Sequence, residues 1–347
     1  MIPRQNKEVI EMLGQTWPLL VSYVNATVDV DEPIRIAEDA DSLVQNPDIT
    51  VLVVTWRHEK YIRECVESIC QQQTNYSFEV IVGEDSSPDN TREICFQLQK
   101  QYPRNVRVVY SEHNVGLVAN TYRIANLIRG RYVAICEGDD YWIDPQKLQK
   151  EVSFLVSNSD FDVVHTACYH QYERNKFCRC PLAHRTIRRL LSYNYLRLNL
   201  QQQLLAACNF ISTPTLVVRS EAYLKAIEYI RELESLTGWI PSTDYVTNFF
   251  SCMNGKVYFI SDITAVYRVN AGSLTGIVDR RKALARQLGD ARNGMVLKSM
   301  CGGDDGFEKI RDLCNKLQRG AECRNYHPHR GPLYFLLRRV LIEIFGV

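Results

Sequence analysis

The stretch ITVLVVTWRHEKYIRECVESICQQQ, residues 49–73, joins two different hydrophobic patterns. Residues 49–55 form an unbroken apolar and β-branched run, which is typical of a strand buried on both faces. From Ile62 onward the apolar residues recur at i, i+3, i+4, i+7 and i+8, which is the spacing of an amphipathic helix. A buried strand that leads into a helix predicts the first βα unit of a mainly parallel sheet.

The same alternation continues on the C-terminal side of this unit. Right-handed βαβ crossovers give such a chain an α/β fold, a mostly parallel Rossmann-like sheet flanked by helices. Ligands bind in these sheets beyond the carboxyl ends of the strands. Further strands are predicted at 78–83, 106–110, 131–136, 161–171, 214–220, 256–260 and 263–269, and further helices at 91–102, 117–128 and 220–236.

Charge and composition exclude some classes of partner. The 347 residues carry 41 Lys and Arg against 40 Asp and Glu, a net charge of +1, and 46% are hydrophobic. This balance gives no support for a nucleic-acid partner. The N-terminus does not resemble a signal peptide, and no apolar run approaches the ~20 residues that span a bilayer. We therefore expect a cytoplasmic protein.

The 12 cysteines are interpreted as small buried hydrophobic residues in a reducing compartment. Cys65 and Cys70, for example, lie on the apolar stripe of the first helix. One cluster leaves a zinc site open as an alternative, although its CxC spacing is not the usual CxxC ligand pair. That cluster comprises Cys168, Cys178, Cys180 and His184.

The segment ICEGDDYWIDPQKLQ, residues 135–149, runs a strand into the carboxylates of Glu137, Asp139 and Asp140. Carboxylates this close repel one another unless a positive group joins them. A hard divalent cation bound to one or two carboxylates and a diphosphate would suit them. The alternative is a helix cap, but Asp144 before a proline suits that role better.

Five stretches, in this order and spacing, resemble family 2 glycosyltransferases with the GT-A fold over residues 49–273. The resemblance implies a GT-A domain at 49–280, with a nucleotide-sugar-binding half at 49–150 and an acceptor-binding half at 151–280. The flanking regions are predicted to be an N-terminal helical extension (1–48) and a C-terminal helical region (281–347). The five stretches are VLVVTWRHEKYIRECVESICQQ (51–72), FEVIVGEDSSPDNT (78–91), SEHNVGLVANTYRIANLIRGRYVAICEGDDYWIDPQKL (111–148), PSTDYVTNFF (241–250) and YRVNAGS (267–273).

The resemblance also implies a nucleotide-binding role for two strand ends. Thr55 and Trp56 correspond to the position where the family's first strand meets the nucleotide base, with Trp56 at a usual Tyr position and able to stack on the base. Glu84 and Asp85 match the family's acidic pair, in which the second acid accepts a hydrogen bond from the base.

Asp139 and Asp140 match the family's DXD-type site, one directed towards ribose and metal and the other towards metal and diphosphate. Glu137 stands where many members have the first Asp of this motif. The implied cofactor is a divalent cation, Mn²⁺ or Mg²⁺. Asn270 is a departure, because relatives commonly have a His nearby that completes the metal site, and Asn is a weaker ligand.

Asp244 matches the family's catalytic base, which takes a proton from the acceptor hydroxyl. Asp244 also suits the N-terminus of a helix, where negative charge is favoured, and the two roles are compatible. Arg268 is a candidate partner for the diphosphate or for Asp244, or else a solvated residue at a strand end.

The expected function is metal-dependent, inverting transfer of a sugar from a nucleoside-diphosphate sugar, a UDP-sugar in the first place, to a glycan or lipid-linked acceptor in cell-surface polysaccharide synthesis. One alternative is a sugar nucleotidyltransferase, which needs a Gly-rich loop that residues 55–61 lack. The other is an inactive nucleotide-sugar-binding scaffold, which the retained Asp139, Asp140 and Asp244 disfavour.

Two further segments bear on the acceptor. Residues 332–347 have apolar residues at helical spacing, which predicts either a terminal helix packed on the domain or a helix in the interface of the cytoplasmic membrane face. The basic segment 184–190 either meets a phosphate-bearing acceptor or is a solvated face.

Overall fold

The computed structural model describes the backbone of residues 32–172, 176–179, 211–237 and 243–270. Several predictions concern residues outside these ranges. They are the helical extension over residues 1–31, the basic segment 184–190, the candidate zinc ligands Cys180 and His184, and the C-terminal region 281–347 with its interface helix at 332–347.

The described residues form ten strands, six α-helices and one short 3-10 helix, Thr213–Thr215. The strands are β1 (Arg35–Ala37), β2 (Ile49–Thr55), β3 (Phe78–Glu84), β4 (Val106–Tyr110), β5 (Tyr132–Ile135), β6 (Tyr141–Trp142), β7 (Phe161–Tyr172), β8 (Lys176–Arg179), β9 (Leu216–Arg219) and β10 (Lys256–Val269). The helices are α1 (Ile62–Cys70), α2 (Thr91–Gln101), α3 (Leu117–Ala125), α4 (Lys147–Ser157), α5 (Ser220–Thr237) and α6 (Thr243–Ser251).

One sheet contains all ten strands in the order β1-β4-β3-β2-β5-β9-β7-β10-β6, with β8 paired to β7. Strands β4, β3, β2 and β5 are parallel to one another, and β10 is parallel to β7. Strand β9 is antiparallel to both β5 and β7, so those two run in the same direction. The predicted α/β fold is confirmed as a mixed sheet with flanking helices.

Helices cover both faces of the sheet, and β2, an apolar strand apart from Thr50 and Thr55, supplies apolar side chains to both. Val51 and Val53 are buried in one core cluster with the apolar stripe of α1. Leu52 points to the opposite face and is buried in a second cluster with residues of α3, α5 and α6. Since successive side chains of a strand alternate between faces, the continuous apolar run supplies both cores.

Two sequence expectations need correction. The extension over 1–48 was predicted to be helical, but residues 35–37 form β1, which pairs with β4, where Ile36 lies opposite Val109. This pairing satisfies the backbone groups of what would otherwise be an open strand edge. The two strands predicted at 256–260 and 263–269 are a single strand, because irregularities in its pairing with β7 accommodate the polar residues between them.

The interpretation of the cysteines agrees with their environment. Cys65, Cys95, Cys136, Cys168 and Cys252 are buried and not in disulfides, and Cys70 is half-buried. Among the helices of the described ranges, none combines the length and apolar character needed to cross a membrane.

Candidate active site

Four strands bring the predicted site residues to one edge of the sheet. Strands β2, β3 and β5 are parallel neighbours, and β10 runs in the same direction as β5 through β9 and β7. Their carboxyl ends therefore lie at the same edge. The backbone N–H of Arg268, in β10, donates to Oδ1 of Asp140, beyond β5, at 2.8 Å.

The loop after β5 gathers three carboxylates. Ligand oxygens of Glu137, Asp139 and Asp140 all lie within 4.8 Å of one another. The N–H of Asp140 donates to the carbonyl of Glu137 at 2.9 Å, which closes the loop into a turn. A Cβ on Gly138 would lie 2.6 Å from Oγ1 of Thr55, so only glycine lets the loop pass this close to β2.

Asp140 is a buried carboxylate with little compensation from the described residues. Its side chain is fully buried, and apart from the Arg268 bond at Oδ1 its second oxygen, Oδ2, has no hydrogen-bond partner in the described part of the chain. Burial, and then the negative charges of Asp139 and Glu137, hold the pKa of Asp140 well above its ordinary value. A buried oxygen beside two more carboxylates fits a hard divalent cation.

Arg268 lies beneath this loop. Its Nη1 donates to the backbone carbonyl of Asp139 at 2.8 Å, and its Nη2 pairs with the carboxylate of Glu64. The sequence offered the diphosphate or Asp244 as its partner, but both ends of the guanidinium are bound to the residues just named. The solvated alternative is wrong, because Arg268 is only 7% exposed.

Asn270 is adjacent to the same acidic loop. Its Nδ2 donates to Oδ2 of Asp139 at 3.3 Å. The position at which relatives were expected to carry a His therefore lies beside one of the predicted metal ligands.

The end of β2 presents one buried and one exposed side chain. Thr55 is buried, with its hydroxyl 3.2 Å from Nδ1 of His58. Trp56 is 44% exposed, and the guanidinium of Arg57 lies over its ring at 5.2 Å. An exposed aromatic ring at this edge agrees with a base-stacking role, which stays a prediction for Trp56, as does base binding for Thr55.

Glu84, the last residue of β3, serves the loop that follows it. Its carboxylate is fully buried and accepts from the backbone N–H of Ser87 at 2.6 Å and from the guanidinium of Arg92. These contacts indicate a positioning role for Glu84, and direct nucleotide binding by it stays a prediction.

Asp85 is bound by a different loop. Oδ1 accepts from the N–H of Val115 at 2.8 Å, and Oδ2 accepts from the N–H of Gly116 at 2.9 Å, just before α3. Burial raises the pKa of Asp85 and outweighs the two N–H bonds, which lower it. Each oxygen keeps a second lone pair, so the predicted hydrogen bond to a nucleotide base is compatible with these contacts.

Asp244 occupies the first turn of α6, where the helix dipole favours a carboxylate. It lines one pocket together with Glu137, so the predicted base and the acidic loop border the same space. Apolar and hydroxyl side chains from the sheet, the short 3-10 helix before β9, α3 and α6 form much of the rest of that lining. They include Leu52, Ile135, Leu117, Thr121, Thr213 and Thr247.

Sequence reasoning missed two residues of this site. His58 is close enough to Asp139 to interact with its charge, while burial is the main cause that lowers the pKa of His58. The one sequence feature that could have indicated a role for His58 is its position in a polar loop at the end of a strand. Glu64 pairs with a residue 204 positions away, and no local pattern reveals that contact.

The family model described as "Glycosyl transferase family 2" matches residues 50–223, half of the chain. The chain belongs to glycosyltransferase family 2. The family predicted from the five sequence stretches is thereby confirmed.

Relatives cover parts of the chain. An uncharacterized protein of Mycobacterium tuberculosis is 29% identical over 241 residues, 67% of this chain and 63% of its own length. The chain thus spans less than two thirds of that relative. A Bacillus subtilis protein named "Putative teichuronic acid biosynthesis glycosyltransferase TuaG" is 33% identical over 113 residues. The match covers 33% of this chain and 44% of the TuaG chain.

The crystal structure of S. aureus TarS residues 1–349 in complex with UDP-GlcNAc matches with a TM-score of 0.50. The match covers 78% of this chain and 71% of that one at 17% identity. At this identity the likeness concerns the fold, and it confirms the predicted GT-A architecture.

Proposed function

We propose that the chain is a metal-dependent glycosyltransferase that moves a sugar from a UDP-sugar to a hydroxyl group with inversion at the anomeric carbon. The observation that carries this proposal is the cluster of Glu137, Asp139 and Asp140, in which the buried Oδ2 of Asp140 has no hydrogen-bond partner among the described residues. The UDP-GlcNAc complex of TarS supports the choice of a UDP-sugar as donor.

Asp140, through Oδ2, would hold a divalent cation, Mn²⁺ or Mg²⁺, together with Asp139 and Glu137. Such a cation, when bound, supplies Lewis-acid stabilisation of the departing diphosphate. The chain's own contribution is to keep the three carboxylates together in a buried loop, so that little reorganisation is needed during the reaction.

Asp244 is proposed as the base. Its carboxylate takes the proton of the acceptor hydroxyl while that oxygen bonds to the anomeric carbon and the bond from the sugar to the diphosphate breaks. The proton ends on Asp244, and the electron pair of the broken bond leaves with the diphosphate. The pocket that Asp244 and Glu137 line supports this arrangement, because the base and the acidic loop face the same space.

The acceptor is proposed to be a glycan or lipid-linked hydroxyl in cell-surface polysaccharide synthesis. The name of TuaG supports a polysaccharide product. A lipid-linked acceptor would require the enzyme to work in the cytoplasm at the inner face of the membrane, which is the location we propose.

The test is the heat of UDP binding to the wild-type chain and to Asp140→Asn, with Mn²⁺, with Mg²⁺ and with EDTA. We expect binding that requires the metal and is lost in the variant. Asp144→Asn is the matched control, because it makes the same carboxylate-to-amide change four residues further along, beyond β6, and the Asn oxygen can still accept from the N–H of Gln146 that Asp144 now binds.

Binding of UDP in EDTA at full strength would contradict the metal-dependent proposal. Absence of binding in all three solutions would overturn the UDP-sugar donor. Pyrophosphate release from UTP and a sugar 1-phosphate would identify the sugar nucleotidyltransferase instead.

A further inference from the structure

Arg268 connects three parts of the molecule through one guanidinium and one backbone N–H. Its Nη1 donates to the carbonyl of Asp139 at 2.8 Å, and its Nη2 pairs with Glu64 in the first turn of α1. Its backbone N–H donates to Oδ1 of Asp140 at 2.8 Å. The acidic loop is thus fixed to β10 and, through Glu64, to α1.

Two aromatic rings lie against the guanidinium. Its central carbon lies 5.0 Å from the ring centroid of Tyr61 and 4.3 Å from that of Tyr141. Arginine is suited to this position, because its planar, permanently charged group stacks on rings while it donates in two directions. A lysine offers one ammonium group and no plane to stack.

These contacts determine which oxygen of Asp140 is left for a ligand. The N–H of Arg268 engages Oδ1, so Oδ2 is the oxygen that remains unbonded among the described residues. Asp139 is fixed at its carbonyl by the Arg268 guanidinium and at Oδ2 by Asn270. Both carboxylates are therefore oriented by residues at the end of β10.

We propose that Glu64 and Arg268 form a clamp that positions the acidic loop for the cation and the diphosphate, without either residue touching them. This inference rests on the function proposed above. It adds Glu64, which is remote in sequence from every acidic motif, and it replaces the expected direct contact of Arg268 with a positioning role.

A purely structural ion pair would behave differently. The Glu64 side chain is 54% exposed and the Arg268 side chain is 8% exposed, so the pair lies between a surface pair and a buried one. Because solvent screens the exposed partner, its contribution to stability should stay at about 1 kcal/mol, well below that of a fully buried pair. Removal of Glu64 should therefore leave the fold almost unchanged. Residues that orient metal ligands, by contrast, change metal affinity about 10–100-fold when they are substituted. Stability and metal affinity thus separate the two roles.

The first experiment compares Glu64→Ala with Glu67→Ala. Glu67 is on the same helix and pairs with Arg63 at 3.6 Å, so its substitution removes the same side chain and charge from α1 without touching the clamp. Mn²⁺ affinity is measured by electron paramagnetic resonance, with Mn²⁺ alone and with saturating UDP, and melting temperatures are measured in parallel.

We expect Glu64→Ala to weaken Mn²⁺ binding about tenfold and Glu67→Ala to leave it unchanged, with both melting temperatures close to wild type. In steady-state transfer, Glu64→Ala should raise the Mn²⁺ concentration needed for half-maximal rate. Its kcat should return towards the wild-type value at saturating Mn²⁺, since the reacting groups are intact.

A double-mutant cycle with Arg268→Lys tests the clamp as a unit. Arg268→Lys should weaken Mn²⁺ binding, and the further change Glu64→Ala should then have little added effect, because the shared contact is already lost. Should Arg268→Lys fail to fold, the comparison of Glu64→Ala with Glu67→Ala still decides.

Two outcomes would overturn the clamp: wild-type Mn²⁺ affinity in Glu64→Ala, or equal losses in Glu64→Ala and Glu67→Ala. Failure of the wild-type chain to bind Mn²⁺ with or without UDP would instead overturn the proposed function and the clamp with it.

Discussion

Two fully buried carboxylates lie at opposite ends of the parallel strands and have opposite surroundings. Glu79, near the start of β3, accepts from the hydroxyl of Thr50 at 2.8 Å and from the guanidinium groups of Arg129 at 2.6 Å and Arg107 at 3.3 Å. Asp140, beyond the end of β5, accepts the backbone N–H of Arg268 and has ligand oxygens of Asp139 and Glu137 within 4.8 Å.

This difference indicates that the charge of Glu79 stabilises the fold, whereas the charge of Asp140 is available for a ligand. At the amino ends of the strands, the chain supplies two arginines for one carboxylate, so the charge of Glu79 is compensated internally. At the carboxyl ends, where ligands of parallel sheets bind, negative charges accumulate around an oxygen without a described hydrogen-bond partner. A buried charge left in this way costs stability and is retained where function requires it.

The largest expected effect comes from Asp140→Asn. Loss of this carboxylate should reduce transfer activity about 1,000-fold, or about 4 kcal/mol of transition-state stabilisation, because the cation loses the buried oxygen that would hold it. The melting temperature of the metal-free protein should not fall, since a poorly compensated charge is removed. Product formation and thermal unfolding measure the two effects, and a strong loss of stability would place Asp140 in the same class as Glu79.

Glu79→Gln should have the opposite effect, a loss of stability without a loss of ligand binding. Removal of the shared charge leaves Arg107 and Arg129 without their buried partner, and the free energy of unfolding should fall by about 3 kcal/mol. Mn²⁺-dependent UDP affinity of the folded protein should stay at the wild-type value. Urea denaturation and calorimetry provide the measurements.

Glu38→Gln is the control for Glu79→Gln, because Glu38 pairs with the same Arg107 at 2.6 Å from a more exposed position. We expect a much smaller loss of stability there. Equal losses at both positions would mean that burial does not distinguish these two partners of Arg107.

The sequence predicted those features that depend on residues close together in the chain. The apolar run 49–55 and the helical spacing after Ile62 predicted the sheet and its helices, because strand and helix periods are properties of neighbouring residues. The closeness of Asp139 and Asp140 was also visible, because the two residues are adjacent in the chain.

The remainder depends on contacts between distant segments. Glu64 and Arg268 meet only because α1 and β10 flank the same loop, and β1 exists only because β4 offers it an open edge. The burial of Glu84 and its contact with Arg92 likewise depend on the side of β3 to which its side chain points. The acidic motif alone did not specify that side. Such contacts leave no periodic signal in the sequence.

Glu151 is an intermediate case, and its effect depends on pH. It is fully buried in α4 and pairs with the buried ammonium group of Lys147, yet burial raises its pKa from 4.5 to about 7. Between these values the folded chain holds a proton that the unfolded chain has lost. Stability should therefore fall as pH rises through this window, by up to about 3 kcal/mol from this group.

Glu151→Gln should remove that part of the pH dependence. Urea denaturation at about pH 5 and about pH 7.5 gives the stability difference in each protein, and the wild-type decrease should be the larger. The same slope in both proteins would assign the pH dependence to other groups and would mean that Lys147 compensates Glu151 as fully as the arginines compensate Glu79.

The smallest expected effect concerns Asn270, which donates to Oδ2 of Asp139 at 3.3 Å. Asn270→His places an imidazole beside a proposed metal ligand, and a ring nitrogen binds Mn²⁺ better than an amide does. We expect Mn²⁺ affinity to rise about tenfold, or about 1.4 kcal/mol, as measured by electron paramagnetic resonance. Asn270→Ala, which loses the hydrogen bond without adding a ligand, should instead weaken it slightly. A His variant that binds no better than the Ala variant would mean that this side of Asp139 faces away from the cation, and the metal site would then be confined to the side of the loop that carries Oδ2 of Asp140.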